Sequence, residues 1–269
     1  MDDIERQRAH FEGISDKYYE SRHTPNHLVL KELMWSCFFR DKADLQGRPL
    51  RVLEPMCGYC EGRQIVLKYL TPQIEYFGFD YSKPLVDRVR ADDPALRVEH
   101  ADVTQFELAA GEPPYDLIML LGGLHHVYQH AGVVVERLRR ALREGGYFVN
   151  LEPTHNFTPL SWVRGWIYRR NALFDDQTEQ GFWLSDLDRL FTDAGYELVD
   201  QVYPGLLTYV LYYNPDAFPM LNIGGPGLVR TLFRLERPFF RSSLARKLSF
   251  ATLSIWRKRS PIGCAAAGS

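Results

Sequence analysis

The chain has 269 residues, 45% hydrophobic and 25% charged, which suits one large α/β domain with room for insertions and excludes disordered, collagen-like and coiled-coil architectures. A formal net charge of −2 gives no global reason to expect a nucleic-acid partner, and four scattered cysteines (Cys37, Cys57, Cys60, Cys264) are too few for a disulfide framework, which favours a reducing compartment. The acidic start MDDIERQRAH is unlike a secretory n-region, and no apolar run approaches the roughly 18 residues of a membrane span, so a cytoplasmic protein with no membrane span is expected.

Between residues 50 and 153, short apolar strands alternate with helical segments, the pattern of a parallel sheet with crossover helices. Residues 50–53 read as the first strand, 62–70 as the helix after it, and 75–79 as the second strand, ending at Asp80. Ser82 is placed to cap the next helix, which has Pro84 in its first turn and Leu85, Val86 and Val89 at helical spacing. Residues 96–99 make a third strand. The continuous apolar run 116–121 reads as a central strand covered on both faces. A helix over 133–142 stops at Gly145-Gly146, and 147–151 is a fifth strand.

After residue 153 the rhythm weakens. The stretch to residue 183 is rich in aromatics and arginine without a clear period; Phe157, Trp162, Trp166, Tyr168, Phe174, Phe182 and Trp183 are expected mostly in a lid core, or lining an acceptor pocket. A helix over 185–194 has Ser185 and Asp188 as a capping pair and Gly195 as its stop, and 196–202 reads as a sixth strand. Residues 207–213 are either a further strand or the opening of an insertion, 250–256 is the last strand, and 260–269 is a disordered tail. Residues 228–259 hold nine Lys or Arg and a single acid, Glu236, and read as a solvated face balancing an acidic body, with a basic lid facing an anionic group as the alternative.

The strongest local signal is RVLEPMCGYCEGRQ, an apolar strand ending in a glycine-containing turn that leads into a helix. Such a turn brings backbone N–H groups at a helix N-terminus close to a ligand. Asp80 follows Gly58 by 22 residues, the spacing at which a carboxylate meets a ribose hydroxyl pair. Together they point to a nucleoside-containing cofactor across the carboxyl edge of the sheet. Cys57 and Cys60 have the spacing of a redox pair or half a metal site, but they lie inside this turn and no second such pair exists, so a packing role and no metal are expected. His23 and His27, and His126 and His130, are spaced i, i+4; no third ligand is evident, and solvated histidines are the reading.

In this order the motifs resemble those of the class I S-adenosylmethionine-dependent methyltransferases of small-molecule type, over residues 50–202 with 250 onward as a seventh strand. Val52, Leu53, Glu54, Gly58 and Gly62 occupy the first motif, with Met56 and Cys60 standing where the family often has glycine. Asp80-Tyr81-Ser82 resembles the second motif, and Asp102-Val103 the pair flanking the adenine. Tyr115 through Ile118, then Leu124-His125-His126-Val127, resemble the fourth strand and its loop; LREGGY and FTDAGYELV resemble the later elements. The resemblance implies an α/β, Rossmann-like, mostly parallel seven-stranded sheet with helices on both faces and helical lid insertions. It implies S-adenosylmethionine as co-substrate, held by Glu54, Met56, Gly58, Asp80, Tyr81, Asp102, Val103 and Leu121.

His125, His126 and Glu152 are the candidates for proton removal near the reactive end. Tyr18 and Tyr19, in an N-terminal block resembling a helical lead-in, are candidates to close the site by cation–π attraction. The expected organisation is a lid segment at 1–45, a cofactor-binding core at 46–203 with an insertion at 153–183, a second lid at 204–246, and a last strand within 247–259. The expected function is in-line methyl transfer to a small-molecule acceptor under a lid, with no nucleic-acid partner. One alternative resembles the azetidine-2-carboxylate-forming cyclases, in which the cofactor's amino group attacks its own γ-carbon and methylthioadenosine is released. Another is a non-catalytic regulator that binds the same cofactor. A nicotinamide-dependent reductase would be expected to carry G-x-G-x-x-G here, which Met56 and Cys60 interrupt.

Overall fold

In the computed structural model, which describes residues 5, 6, 13, 20, 22–40, 42–170, 180–215 and 219–260, the sheet is built around β1 (Leu50–Pro55). It pairs in parallel with β2 (Ile74–Asp80) on one side and β4 (Tyr115–Leu121) on the other. The short β3 (Val98–His100) lies outside β2, and the long β5 (Leu142–His155) lies beside β4, both parallel. Next, β8 (Ala251–Lys258) runs antiparallel between β5 and β7 (Tyr196–Val202), giving the order β3-β2-β1-β4-β5-β8-β7. A two-residue β6 (Phe182–Trp183) pairs in parallel with the end of β5. The fold is therefore the mostly parallel, Rossmann-like α/β arrangement, with β8 as its antiparallel member.

The central strand is apolar at consecutive positions because both of its faces are covered. Leu117 and Met119 enter one core, while Ile118 and Leu120 enter the other. The first core is closed by α1 (Pro25–Phe39), α2 (Glu61–Tyr69) and α3 (Lys83–Asp92), through Trp35, Phe38, Ile65, Val66, Val86 and Val89. The second is closed by α4 (Ala131–Ala141) and α6 (Leu184–Asp193), where Phe191 stacks on Trp256 of β8 with ring centroids 4.8 Å apart. Each fully buried large side chain contributes roughly 1.5–3 kcal/mol.

Two helices from the region after β7, α7 (Leu207–Tyr212) and α8 (Pro226–Glu236), pack on α1 as an outer layer. Val229 and Phe233 join the same core as Trp35, and the Glu236 carboxylate accepts hydrogen bonds from the backbone N–H and hydroxyl of Thr208. Between β5 and β6 lies α5 (Thr158–Arg170), and α9 (Ser243–Leu248), capped by the Ser242 hydroxyl accepting from the Ala245 N–H at 3.1 Å, leads into β8. Among the described residues no helix is long and apolar enough to cross a membrane.

Several local expectations need correction. The strand reading of 207–213 gives way to α7, because Tyr209 and Tyr212, three apart, bury on one helical face while the sheet edge beyond β8 is already taken by β7. Ser185 and Asp188 do not cap α6: the helix begins at Leu184 after Trp183, and the Asp188 carboxylate instead accepts from the Gln201 amide at 2.8 Å. Ser82 occupies the N-cap of α3, yet its side chain makes no capping bond. The fifth strand is 14 residues long, drawn out by pairing with both β4 and β8. The aromatics after β5 are mostly surface, not core: Phe157, Trp162, Trp166 and Trp183 are exposed and Phe182 is buried. The side chains of Tyr168 and Phe174, and residues 261–269, lie outside those described.

Candidate functional site

Three strands of the sheet centre, β1, β2 and β4, end at one edge, and an acid stands at two of those ends. Glu54 is buried, and its Oε1 accepts the Gly62 N–H at 2.6 Å while Oε2 accepts the Arg63 N–H at 2.9 Å and the Tyr76 hydroxyl at 2.8 Å. The first strand thus holds the open N-terminus of the following helix directly. Gly62 is obligatory, since a side chain there would come within 2.7 Å of the Glu54 carboxyl carbon. Burial pushes the Glu54 carboxyl well above its ordinary range, and these three donors bring it only partly back.

The intervening turn has an unusual backbone. Met56, Gly58 and Cys60 have φ of +53°, +49° and +59°, so every second residue is left-handed although only one is glycine. Holding a non-glycine residue there costs about 1–2 kcal/mol. Met56 and Cys60 therefore keep the backbone course that alternating glycines would give. Cys57 and Cys60 are buried thiols within this turn; the hydrogen bond from Cys57 holds the Cys60 thiol below its ordinary value and raises that of Cys57. Among the described residues no group of three or more His, Cys, Asp or Glu could hold a metal ion.

Asp80, at the end of β2, accepts the Gly58 N–H at 3.0 Å and the Ser82 N–H at 2.9 Å. Burial raises its pKa, and those two N–H groups, His126 and His100 oppose the rise. The loop after β4 is organised from across the sheet by Glu152 of β5, which is fully buried. Its Oε1 accepts the N–H groups of Gly123 (3.0 Å) and Leu124 (2.8 Å), and its Oε2 accepts the His125 Nδ1–H at 2.8 Å and the His125 N–H at 3.3 Å. The His125 and His126 rings lie 4.0 Å apart.

These pieces surround an open cleft. Of the residues anticipated from sequence, Glu54, Met56, Gly58, Asp80, Tyr81, Leu121 and His126 line it. His125 and Glu152 stand behind the lining as a pair. Asp102 turns its carboxylate onto the backbone and hydroxyl of Thr104, both at 2.8 Å, and Val103 is buried in the second core, so neither is among the lining residues. Tyr18 and Tyr19 lie outside the described residues.

The opposite wall comes from the residues leading into and along α1: Arg22, His23, Leu28 and Lys31. Sequence reasoning marked this block as a lead-in but did not single out its cations, because nothing in their spacing distinguishes a cleft wall from a solvated face. Arg22 donates to the Tyr213 carbonyl and, at 2.9 Å, to the Asn214 side chain, tying this wall to the layer after β7. Lys31 pairs with Glu61, also in the cleft, at 2.7 Å. His27 is not the solvated histidine expected: it is packed beneath this wall against Tyr213, and burial, with Arg22 and Lys31 nearby, lowers its pKa to about 2.

The sheet order, with the cleft at its carboxyl edge, is the Rossmann-like arrangement, and within it residues 53–148 match the family model described as a methyltransferase domain. Among solved structures, the chain is similar to the plantazolicin methyltransferase BamL in complex with a triazolic desmethylPZN analog and SAH (12% identity, 96% of each chain, TM-score 0.61). It is also similar to the cyclopropane synthase MmaA2 of Mycobacterium tuberculosis (14% identity, 85% of this chain and 83% of the other, TM-score 0.58) and to the [4+2]-cyclase SpnF (15% identity, 85% and 81%, TM-score 0.55). At these identities the likeness speaks to the fold. A comparison with curated proteins gives no match.

Proposed function

We propose that the protein transfers the methyl group of S-adenosylmethionine to a small-molecule acceptor held between the sheet edge and the α1 wall. The observation that carries this reading is the single cleft that joins the ends of β1, β2 and β4 to Arg22 and Lys31, a wall fastened to the layer after β7. Such a cleft, bounded by the sheet edge on one side and by Arg22, His23, Leu28 and Lys31 on the other, suits a small acceptor.

The residues present fit the co-substrate. Gly58 has open space where a side chain would stand, so backbone can approach a ligand there, and the Asp80 carboxylate keeps acceptor capacity beyond its two N–H partners. Asp80 would grip the ribose hydroxyls, and the turn at Gly58, whose N–H is held by Asp80, would let the ligand lie close against the backbone. When bound, the co-substrate supplies an electrophilic methyl on a cationic sulfur. The protein aligns donor and acceptor in line and excludes water. His126, in the lining beside Gly122 and Gly123, is the group placed to take a proton from the acceptor; His125, gripped by Glu152, fixes the loop that positions it.

The test is product analysis after incubation with S-adenosylmethionine alone and then with a panel of small acceptors. S-adenosylhomocysteine formed only when an acceptor is present supports the reading. Methylthioadenosine from S-adenosylmethionine alone would replace it with the intramolecular cyclisation, and binding without turnover would replace it with a regulator. In the active case, His126→Ala should lower kcat by about 10²–10⁴-fold with co-substrate affinity kept.

A further inference from the structure

The surface beyond the cleft, on the β5–β8 side of the same edge, joins exposed apolar residues to exposed basic ones. On α5, Trp162 and Trp166, one helical turn apart, are 70% and 51% exposed; on α9, Leu244 and Leu248, equally spaced, are 57% and 39% exposed beside exposed Arg246 and Lys247. The two helices are far apart in sequence but share one edge, because β5 ends at His155 just before α5 and β8 begins at Ala251 just after α9, with Pro153 paired to Ala251. Asn156 fastens them: its amide donates to the Arg246 carbonyl at 2.8 Å and its oxygen accepts the Leu184 N–H at 3.3 Å. Lys247 lies over the Phe157 ring at 6.0 Å.

The sequence of both segments is one-sided in charge. Residues 153–174 carry three basic and no acidic residues, and α9 adds Arg246 and Lys247, in a chain whose net charge is −2; Arg241 pairs instead with Asp200, and Arg257 and Lys258, at the far end of β8, pair with Glu197 and Glu144. Soluble proteins rarely combine neighbouring exposed tryptophans and leucines in this way without a use. Tryptophan with arginine and lysine is the composition of a surface that lies in a headgroup layer: the rings seat at the boundary, leucines reach the acyl region, and the cations meet anionic lipid. Nucleic acid would reward the arginines and stack on the rings, but it offers nothing to Leu244 and Leu248.

We infer that the α5–α9 face docks this protein onto an anionic lipid surface. Docking this way turns the edge that carries the cleft toward the bilayer. The inference does not depend on the reaction proposed above, since it concerns a different surface and a different ligand.

The experiment uses the full chain and vesicle flotation on phosphatidylcholine with and without phosphatidylglycerol, at low and raised salt. Flotation is expected with phosphatidylglycerol only, falling as salt rises. Trp162→Ser with Trp166→Ser, and separately Arg246→Glu with Lys247→Glu, should each lower the lipid partition by about tenfold or more. Lys68→Glu with Arg140→Glu, the same charge change at the other edge of the sheet, should leave it within about twofold. Tryptophan quenching by brominated phosphatidylglycerol in the unmodified protein reads ring insertion without any variant. Calorimetry with S-adenosylmethionine on every variant reads the cleft separately, so loss of one property is distinguishable from loss of the other. No flotation at low salt, an equal loss in the Lys68/Arg140 variant, or no quenching overturns the inference. So does self-association or binding to an RNA oligonucleotide that the face variants abolish in place of vesicle binding.

Discussion

The turn after β1 and the loop after β4 are each held by a buried carboxylate at a strand end, but the two anchors work differently. Glu54 acts on its own continuation, holding the first N–H groups of α2 eight and nine residues ahead. Glu152 acts on a neighbour, gathering three successive N–H groups and the His125 ring from a loop some 27 residues behind it. An ionised carboxylate has about four acceptor sites. Glu152 receives five donors, counting the Asn150 amide at 3.4 Å, Glu54 receives three, and Asp80 receives two. The acid with capacity to spare is the one suited to a ligand, while the other two shape the walls around it.

Replacing the fullest anchor gives the largest effect. Glu152→Ala leaves three backbone N–H groups and the His125 ring without their acceptor in a buried place, and should destabilise the protein by about 3–5 kcal/mol in urea unfolding. Glu152→Gln keeps one acceptor and should lose less. A loss under about 1 kcal/mol for the alanine variant would break the comparison, because the loop after β4 would then hold itself.

Asp80→Ala should read out chiefly in binding. Removing a charge-assisted acceptor worth about 1.5–3 kcal/mol should weaken S-adenosylmethionine by roughly ten- to hundredfold in a calorimetric titration. Unchanged affinity would remove Asp80 from the ribose role and leave it as a third backbone anchor.

The Glu54 anchor is distinguished by pH. The unfolded carboxyl ionises at its ordinary value, near 4.5, and the folded one only at a higher pH. Between those points the folded chain binds more protons, so stability falls as pH rises, by at most about 1.4 kcal/mol per pH unit. Below that window the contribution is constant, and above it the loss is complete. Asp80 acts in the same direction, so the difference between the unmodified protein and Glu54→Gln isolates Glu54: the variant should show a shallower fall over the same pH range. Parallel curves would mean that the carboxylate is not kept from ionising by burial.

The difference between the anchors also marks what the sequence could tell. Strand, turn and acid positions were legible, because apolar runs such as 116–121 require a two-sided cover and a glycine-bearing turn between strand and helix has few backbone solutions. The division of labour among Glu54, Asp80 and Glu152 was not, since residue spacing places a carboxylate at an edge without saying which N–H groups fill its lone pairs. Arg22 and Lys31 escaped for a related reason: the partners that turn them toward the cleft, Tyr213 with Asn214 and Glu61, are distant in sequence or on another helix. The exposure of the α5 tryptophans, expected in a lid core or lining an acceptor pocket, is not legible either, because composition alone does not reveal that both faces of the sheet are covered by other helices.

The smallest effect tests the turn itself. At φ +53° Met56 carries a strain of about 1–2 kcal/mol that glycine would not. Its side chain packs over Gly123, where an added Cβ would lie 2.9 Å from the Met56 sulfur, so this thioether also spaces the β1 turn from the loop that Glu152 holds. Met56→Gly therefore removes strain and contact together, and adds about 0.5–1 kcal/mol of backbone entropy to be lost on folding, for a net change within about 1 kcal/mol. Met56→Val keeps the strain, adds a branched Cβ to a left-handed backbone and loses the reach to Gly123, so it should cost about 1–2 kcal/mol more than the glycine variant in urea unfolding. If valine is tolerated as well as glycine, the turn does not hold its left-handed course at this position, and the first and fourth strand ends are coupled by something other than the Met56–Gly123 contact.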